Sequence, residues 1–230
     1  MRTIAIAGGL LAAAALLTGC GLGSLAGPTN QDTASYQVTD KLTKLQVNSG
    51  SGDVVVTETG GTAVRVTETL RWRGDAKPKP EHKVEGGVLA ISYDCPSNMG
   101  TCAVDYKIEI PKGLAADLDA GSGDVTLRAL SGDLDVHVGS GDVDGSDLAG
   151  KSVVADAGSG NVELKYASAP ASAQLKAGSG DITLNVPDGP YDVSTDVGSG
   201  DATVSVDNDH SSPNKISLKA GSGDVKVAAG

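Results

Sequence analysis

Phenylalanine is absent from this chain of 230 residues, which holds one tryptophan, two methionines and five tyrosines. An interior without large aromatic side chains has to be assembled from Val, Leu, Ile and Ala, which suits a thin, layered core better than a bulky one. Basic residues are also in deficit: 18 Lys and Arg stand against 29 Asp and Glu, for a formal charge of -11 and a pI near 4.6. That balance excludes nucleic acid, which is held by counterion release to Lys and Arg. It also disfavours docking of the folded surface on anionic lipid. A solvated acidic exterior is what it describes. Catalytic motifs are missing as well. No G-x-S-x-G elbow occurs, and His82, His137 and His210 lie in unrelated segments without a nucleophile at a recognisable spacing. Asp133 and Asp135 would share a strand face, but a carboxylate pair on a Gly-rich acidic surface arises by chance and does not specify a glycosidase. The chain reads as non-enzymatic.

Long hydrophobic runs are lacking too. The apolar stretch Ile4 to Leu17 is too short to span a bilayer comfortably. It follows Arg2 and precedes Leu17-Thr18-Gly19-Cys20, and this arrangement resembles a bacterial lipoprotein signal peptide, in which the Cys is diacylated and becomes the mature N-terminus. Residues 1–19 are therefore expected to be a leader and Cys20 the lipid anchor, placing the remainder outside the cytoplasmic membrane. Residues 20–34, small and polar without periodicity, are expected to be a flexible tether. In that oxidising compartment Cys95 and Cys102, on either side of a Pro/Asn/Gly turn, are expected to form a disulfide. No CxxC is present to favour a metal instead.

Residues 35–230 read as one β-strand-repeat domain. Its first part, 35–113, has irregular strand spacing and an exposed loop over 74–83 that contains Pro78 and Pro80. Its second part, 114–230, repeats GSG[DN]. The turns are Gly121, Gly123, Asp124; Gly139, Gly141, Asp142; Gly158, Gly160, Asn161; Gly178, Gly180, Asp181; Gly198, Gly200, Asp201; and Gly221, Gly223, Asp224, with an earlier copy at Gly50, Gly52, Asp53. From 121 onward they are spaced by 18, 19, 20, 20 and 23 residues. Small or apolar residues lie one and three places before the turn in most copies (Leu118 and Ala120, for example) and four and six after it (Val125 and Leu127), with polar residues between. Each unit is strand, tight turn, strand, with one face in and one out. A near-constant period of this size predicts a β-solenoid of about 20-residue coils stacked at roughly 4.8 Å. The alternative is an antiparallel up-and-down β-sheet with GSGD as hairpin tips, which gives the same parity. The longest second turn, Asp207 to Asn214, favours the solenoid, which tolerates insertions at one corner.

Glycine supplies positive φ at such a corner, and Ser and Asp accept from nearby N–H groups, so GSGD needs no ligand. Stacked in register, its aspartates would form a ladder of like charges costing roughly 1 kcal/mol per neighbouring pair in water. A calcium ion would relieve that repulsion, and Asp142, Asp144 and Asp147 are the candidate ligands, although they miss the EF-hand spacing. No other cofactor is expected.

Ile108-Glu-Ile110-Pro111-Lys-Gly113-Leu114, the successive sGdV units from Leu118, and the earlier Leu45 to Val56 followed by Val64-Arg-Val66 resemble a bacterial family of β-strand-repeat proteins of unknown function labelled putative adhesin. The resemblance covers about Leu42 to Gly230. It implies an elongated all-β domain displayed at the cell envelope and brings no catalytic residues. The expected role is structural or adhesin-like interaction of a membrane-anchored lipoprotein with an envelope or surface protein or a polysaccharide. A calcium-binding envelope module and an envelope-stress sensor or scaffold are the alternatives. The last unit, ending at Ala228-Ala-Gly230 without a polar cap, suggests an open edge and end-to-end self-association.

Overall fold

Alternation of apolar and polar residues becomes strand after strand, and the computed structural model, which describes residues 29–96 and 101–230, contains twenty strands and no helix among them. The leader, Cys20 and tether residues 20–28 lie outside the described residues. The regular unit is a strand in one ten-stranded sheet, a GSGD corner, and a strand in the other sheet. In chain order these coils are β2 (Lys44–Ser51) with β3 (Val54–Thr59), β8 (Ala115–Ser122) with β9 (Val125–Arg128), β10 (Leu134–Ser140) with β11 (Val143–Leu148), and β12 (Ser152–Ser159) with β13 (Val162–Tyr166). Three more follow: β14 (Ser172–Ser179) with β15 (Ile182–Val186), β16 (Pro190–Ser199) with β17 (Ala202–Ser205), and β19 (Lys215–Ser222) with β20 (Val225–Ala229).

Neighbouring coils pair in parallel and in register, Val136 opposite Leu118 in one sheet and Val143 opposite Val125 in the other. The repeat is thus a solenoid, and the antiparallel alternative does not describe it. Its core consists of rows running up the stack. Leu118, Val136, Ala155, Leu175 and Leu218 face Leu127, Leu164, Leu184 and Val227, all buried. Each fully buried Val or Leu contributes about 1.5–3 kcal/mol, so a core without Phe is sufficient when it is continuous. Next to the corner the inward residue is Ala in four coils, Ala120, Ala157, Ala177 and Ala220, and Val138 in a fifth.

Antiparallel strands close the stack at its N-terminal end. β1 (Thr29–Val38) pairs with β4 (Val64–Arg73), and β4 with β7 (Cys102–Pro111), while in the other sheet β5 (Lys79–Glu85) pairs with β6 (Val88–Asp94). Two boundaries move accordingly. Residues 29–34, expected in the tether, belong to β1, and the second half of the expected loop 74–83 belongs to β5. Both are edge strands, solvated on most of both faces, so they show no alternation. An edge also tolerates Pro80, whose missing N–H is lost from no interior ladder.

At the other end the coils stack out of chain order. β19 lies between β14 and β16, and β20 between β15 and β17. The last unit is therefore internal, and the open edge expected at Ala228–Gly230 belongs instead to β17, which is exposed along its length. The insertion 207–214 serves as the connection that permits this return. Its strand β18 (Asp207–Asn208) pairs with Pro190 and Tyr191 of β16 and covers part of the other edge. Asn208 Oδ1 accepts from Val193 N (3.0 Å), and Ser212 Oγ donates to Pro190 O (2.8 Å).

Candidate functional site

The GSGD corners align into one ridge along the solenoid. The second glycine of each has φ between 114° and 144°, a region that disfavours side chains. Close approach is the stronger requirement: a Cβ at Gly141 would sit 2.1 Å from Gly123 O. Each corner is bonded to its neighbours in both directions. Between two of them, Gly123 N donates to Ser140 O (3.1 Å), Val125 N to Asp142 O (2.9 Å), and Asp142 N to Asp124 Oδ1 (2.9 Å).

The last kind of bond repeats without a break. Asp53 N donates to Asp105 Oδ1 (3.0 Å), Asp124 N to Asp53 Oδ1 (3.1 Å), and Asn161 N to Asp142 Oδ1 (2.7 Å). It continues through Asp181 N to Asn161 Oδ1 (2.9 Å), Asp224 N to Asp181 Oδ1 (2.8 Å) and Asp201 N to Asp224 Oδ1 (2.9 Å). Acceptance from a backbone N–H offsets the repulsion between neighbouring carboxylates, and Asn161 fits because its carbonyl oxygen accepts equally well. Asp105 begins the ladder and was not marked by the sequence pattern, since no GSG precedes it. A single Asp directly before an inward strand residue, Tyr106, was the available signal. At this first coil the corner is built differently: Cys95 and Cys102 are disulfide-bonded with Cα atoms 6.1 Å apart. The Tyr93 hydroxyl substitutes for the missing turn, donating to Ser51 O (2.7 Å) and accepting from Ser51 N (2.5 Å).

The candidate calcium residues fall in different settings. Asp142 is in the ladder, Asp144 points outward from β11, and Asp147 occupies a bulge with φ of 56°. The bulge has a packing cause. Gly145 stands in an inward row where a Cβ would approach Leu164 Cδ2 to 2.6 Å, and Leu148 fills the space instead. Among the described residues no three His, Cys, Asp or Glu side chains converge as a metal-binding group. The histidines are separate: His137 Nε2 lies 3.2 Å from Asp135 on an outer face, and His210 Nδ1 lies 2.8 Å from Asp192 Oδ1. Asp192 also receives Lys215 Nζ (2.6 Å), and these two partners, His210 first, hold its carboxyl below the usual range.

His82 has a different role. Its ring stacks on Tyr36 with centroids 4.1 Å apart, joining the edge strands β5 and β1 across the N-terminal end of the core. Beneath that pair is Glu68, 4% exposed, at an inward position between Val66 and Leu70. Burial pushes its carboxyl up, with a smaller opposing pull from the Tyr36 hydroxyl. Burial and the nearby Glu68 also push the Tyr36 and Tyr106 phenols up. Neither Glu68 Oε1 nor Tyr36 Oη has a hydrogen-bond partner of good geometry. The sequence signal for Glu68 is a carboxyl in the apolar phase of β4. Two surface depressions, of about 190 and 350 Å³, lie elsewhere. The first is lined by Lys41, Leu42, Thr43 and Pro111, and the second lies on an outer sheet face beside Gln174, Ser194 and Ser217, edged by the Asp192–Lys215 ion pair. Neither gathers a set of converging catalytic groups.

The chain is similar in fold to a putative cell adhesion protein from Clostridium sporogenes (14% identity, TM-score 0.54, covering 88% of this chain and 100% of that one). A putative adhesin from Bacteroides fragilis matches at 17% identity and TM-score 0.44, over 86% of this chain and 97% of that one. A putative lipid binding protein from Parabacteroides distasonis matches at 19% identity and TM-score 0.34, over 86% and 97%. No curated protein matches the chain. The family described as Toastrack DUF4097 matches residues 34–229, nearly the whole of the folded stack, and the chain belongs to that family.

Proposed function

We propose that this chain is a lipoprotein of the cell envelope, anchored through diacylated Cys20, whose solenoid is a non-enzymatic spacer and interaction surface outside the cytoplasmic membrane. One observation carries the reading: the strand that follows the tether, β1, is the outermost strand of one end of the stack, and β17 and β18 form the other. Ten strands at about 4.8 Å separate those ends by roughly 43 Å, so an anchor at residue 20 would project the corner ridge and both outer faces away from the bilayer. The ladder supports a mechanical role, because each coil is tied to both neighbours by side chain as well as backbone. The name of one structural neighbour, a putative cell adhesion protein, accords with an interaction role, for which we propose an envelope or surface protein or a polysaccharide as partner.

The test is metabolic labelling with a palmitate analogue, in cells producing the wild type or Cys20→Ala, followed by membrane fractionation and protease treatment of intact cells. Labelled, membrane-bound and protease-accessible wild type beside an unlabelled variant that keeps its uncleaved leader is the expected pattern. A variant that still takes the label, or a wild type that takes none, overturns the anchor.

A further inference from the structure

Residues 190–230 form an end module with an unusual attachment. Within it, β16 pairs with β18 and β19, and β17 with β20. Its strand pairing with the rest of the stack is made by β19 on β14 and β20 on β15, the coil farther along the chain from the covalent connection. That connection is Pro187-Asp188-Gly189, between β15 and β16. It is also drawn out. From Tyr166 to Ser172 the chain climbs one layer, to the strand next to its own coil, whereas the same number of steps from Val186 to Asp192 climbs two, past the place that β19 occupies. A short hinge that spans two layers, joined to a self-contained module, is the arrangement in which two chains can exchange modules at little cost.

We infer that the β14–β19 and β15–β20 interface also forms between two copies of this chain, which exchange residues 190–230 reciprocally about the hinge 187–189. The exchanged dimer keeps every interface that holds the monomer together. Ala173 still meets Ile216, Leu175 meets Leu218, Ile182 meets Val225, and the ladder still passes from Asp181 to Asp224 and Asp201. Only bonds across the hinge change, such as Tyr191 Oη donating to Pro187 O (2.9 Å), whereas Gly230 N donating to Val186 O (3.1 Å) belongs to the β15–β20 interface and re-forms with the mate. The partner is a second copy because the surface each module leaves is matched, residue for residue, by the identical module of its mate.

Lys176 and Lys219 are register partners on an outer face, both exposed, at a spacing that neighbouring strands make suitable for a disulfide. Full-length Lys176→Cys and Lys219→Cys variants, each also carrying Cys20→Ser, are mixed at high concentration, held near the unfolding midpoint, returned to native conditions and oxidised. The expected result is a covalent heterodimer on a non-reducing gel, increasing with concentration. Its yield falls several-fold when two glycines are inserted after Gly189, which relaxes the hinge. The Lys176→Cys/Lys219→Cys double variant, closing within one chain at low concentration, shows that the pair can bond. Closure in that control with no heterodimer from the mixed single variants overturns the proposal, and so does a heterodimer yield indifferent to the inserted glycines.

Discussion

At the scale of single residues, the Asp of GSGD acts as a hydrogen-bond acceptor for the next coil, and its charge is secondary. Asp142→Asn is expected to leave stability nearly unchanged, since Asn161 already occupies an equivalent place in the ladder. Asp142→Ala is expected to cost about 1 kcal/mol in urea unfolding, by leaving Asn161 N without its acceptor. If charge were the determining property, Asn and Ala would be equally harmful. The same assignment bears on calcium. With the carboxylates engaged and no converging metal group among the described residues, millimolar calcium and EDTA are expected to give the same melting temperature. A specific site would instead add about 2.7 kcal/mol at a hundredfold excess over its dissociation constant. Glu68 is the contrasting carboxylate. Its folded pKa is raised, so above the unfolded pKa the native state holds a proton that the unfolded chain releases. Stability from this group is therefore full below the unfolded value and falls as pH rises toward the folded one. Glu68→Gln removes that dependence. Its melting temperature is expected to gain on the wild type progressively from about pH 4.5 upward, and a difference independent of pH would assign the effect to packing.

At the scale of the element, the corner strands were legible and the edge strands were not. Val125 and Leu127 after one turn, with Leu118 and Ala120 before it, mark an inward face by parity alone, and parity survives in either a parallel or an antiparallel stack. What favoured the solenoid was the long second turn at 207–214, since a stack of coils tolerates an insertion at one corner. β1 and β5 carried no such mark, since an edge strand at the end of a stack has little to bury. The out-of-order placement of β19–β20 was hidden for a related reason: its inward rows fit either neighbour. The trace that existed was Thr195, the polar member of a row that otherwise holds Leu, Val, Ile and Ala, in the coil that proves to be terminal. The disulfide shows how one element departs from the repeat. It closes the corner between β6 and β7 where GSGD is missing, over a sequence separation of 7. Reduction, or Cys95→Ser with Cys102→Ser, is expected to cost about 2–3 kcal/mol by the loop-closure relation. Amide exchange should accelerate first in β6 and β7. Uniform acceleration over the stack would show that the bridge supports the whole fold and not its local corner.

At the scale of the whole molecule, a solenoid with coils in chain order loses one layer for each coil removed from its C-terminus, because stability is a sum of nearest-neighbour terms. This stack differs, since β16 and β17 reach the body only through β19 and β20. A chain ending at Asn214 therefore removes the sixteen residues after it and isolates those from Pro190 onward. Ile216, Leu218, Val225 and Val227 are lost outright, while Tyr191 and Val193 lose the layer against which they are buried. The remnant of β16, β17 and the two-residue β18 cannot retain structure with one face of its core exposed. Hydrogen exchange of the truncated chain is expected to show residues 190–208 exchanging freely, with β8 to β13 protected as before and β14 to β15 reduced to edge behaviour. Retained protection at Tyr191 to Ser199 would mean that β16 and β17 had moved into the vacated layer and stacked directly on β14 and β15. Interchangeable coils make that repair geometrically open, but the row it would place against Leu175 contains Thr195 in place of Leu218, a substitution of a hydroxyl for a buried isobutyl group. Burying that hydroxyl without a partner costs about 1–3 kcal/mol, which favours release of the coil over its relocation.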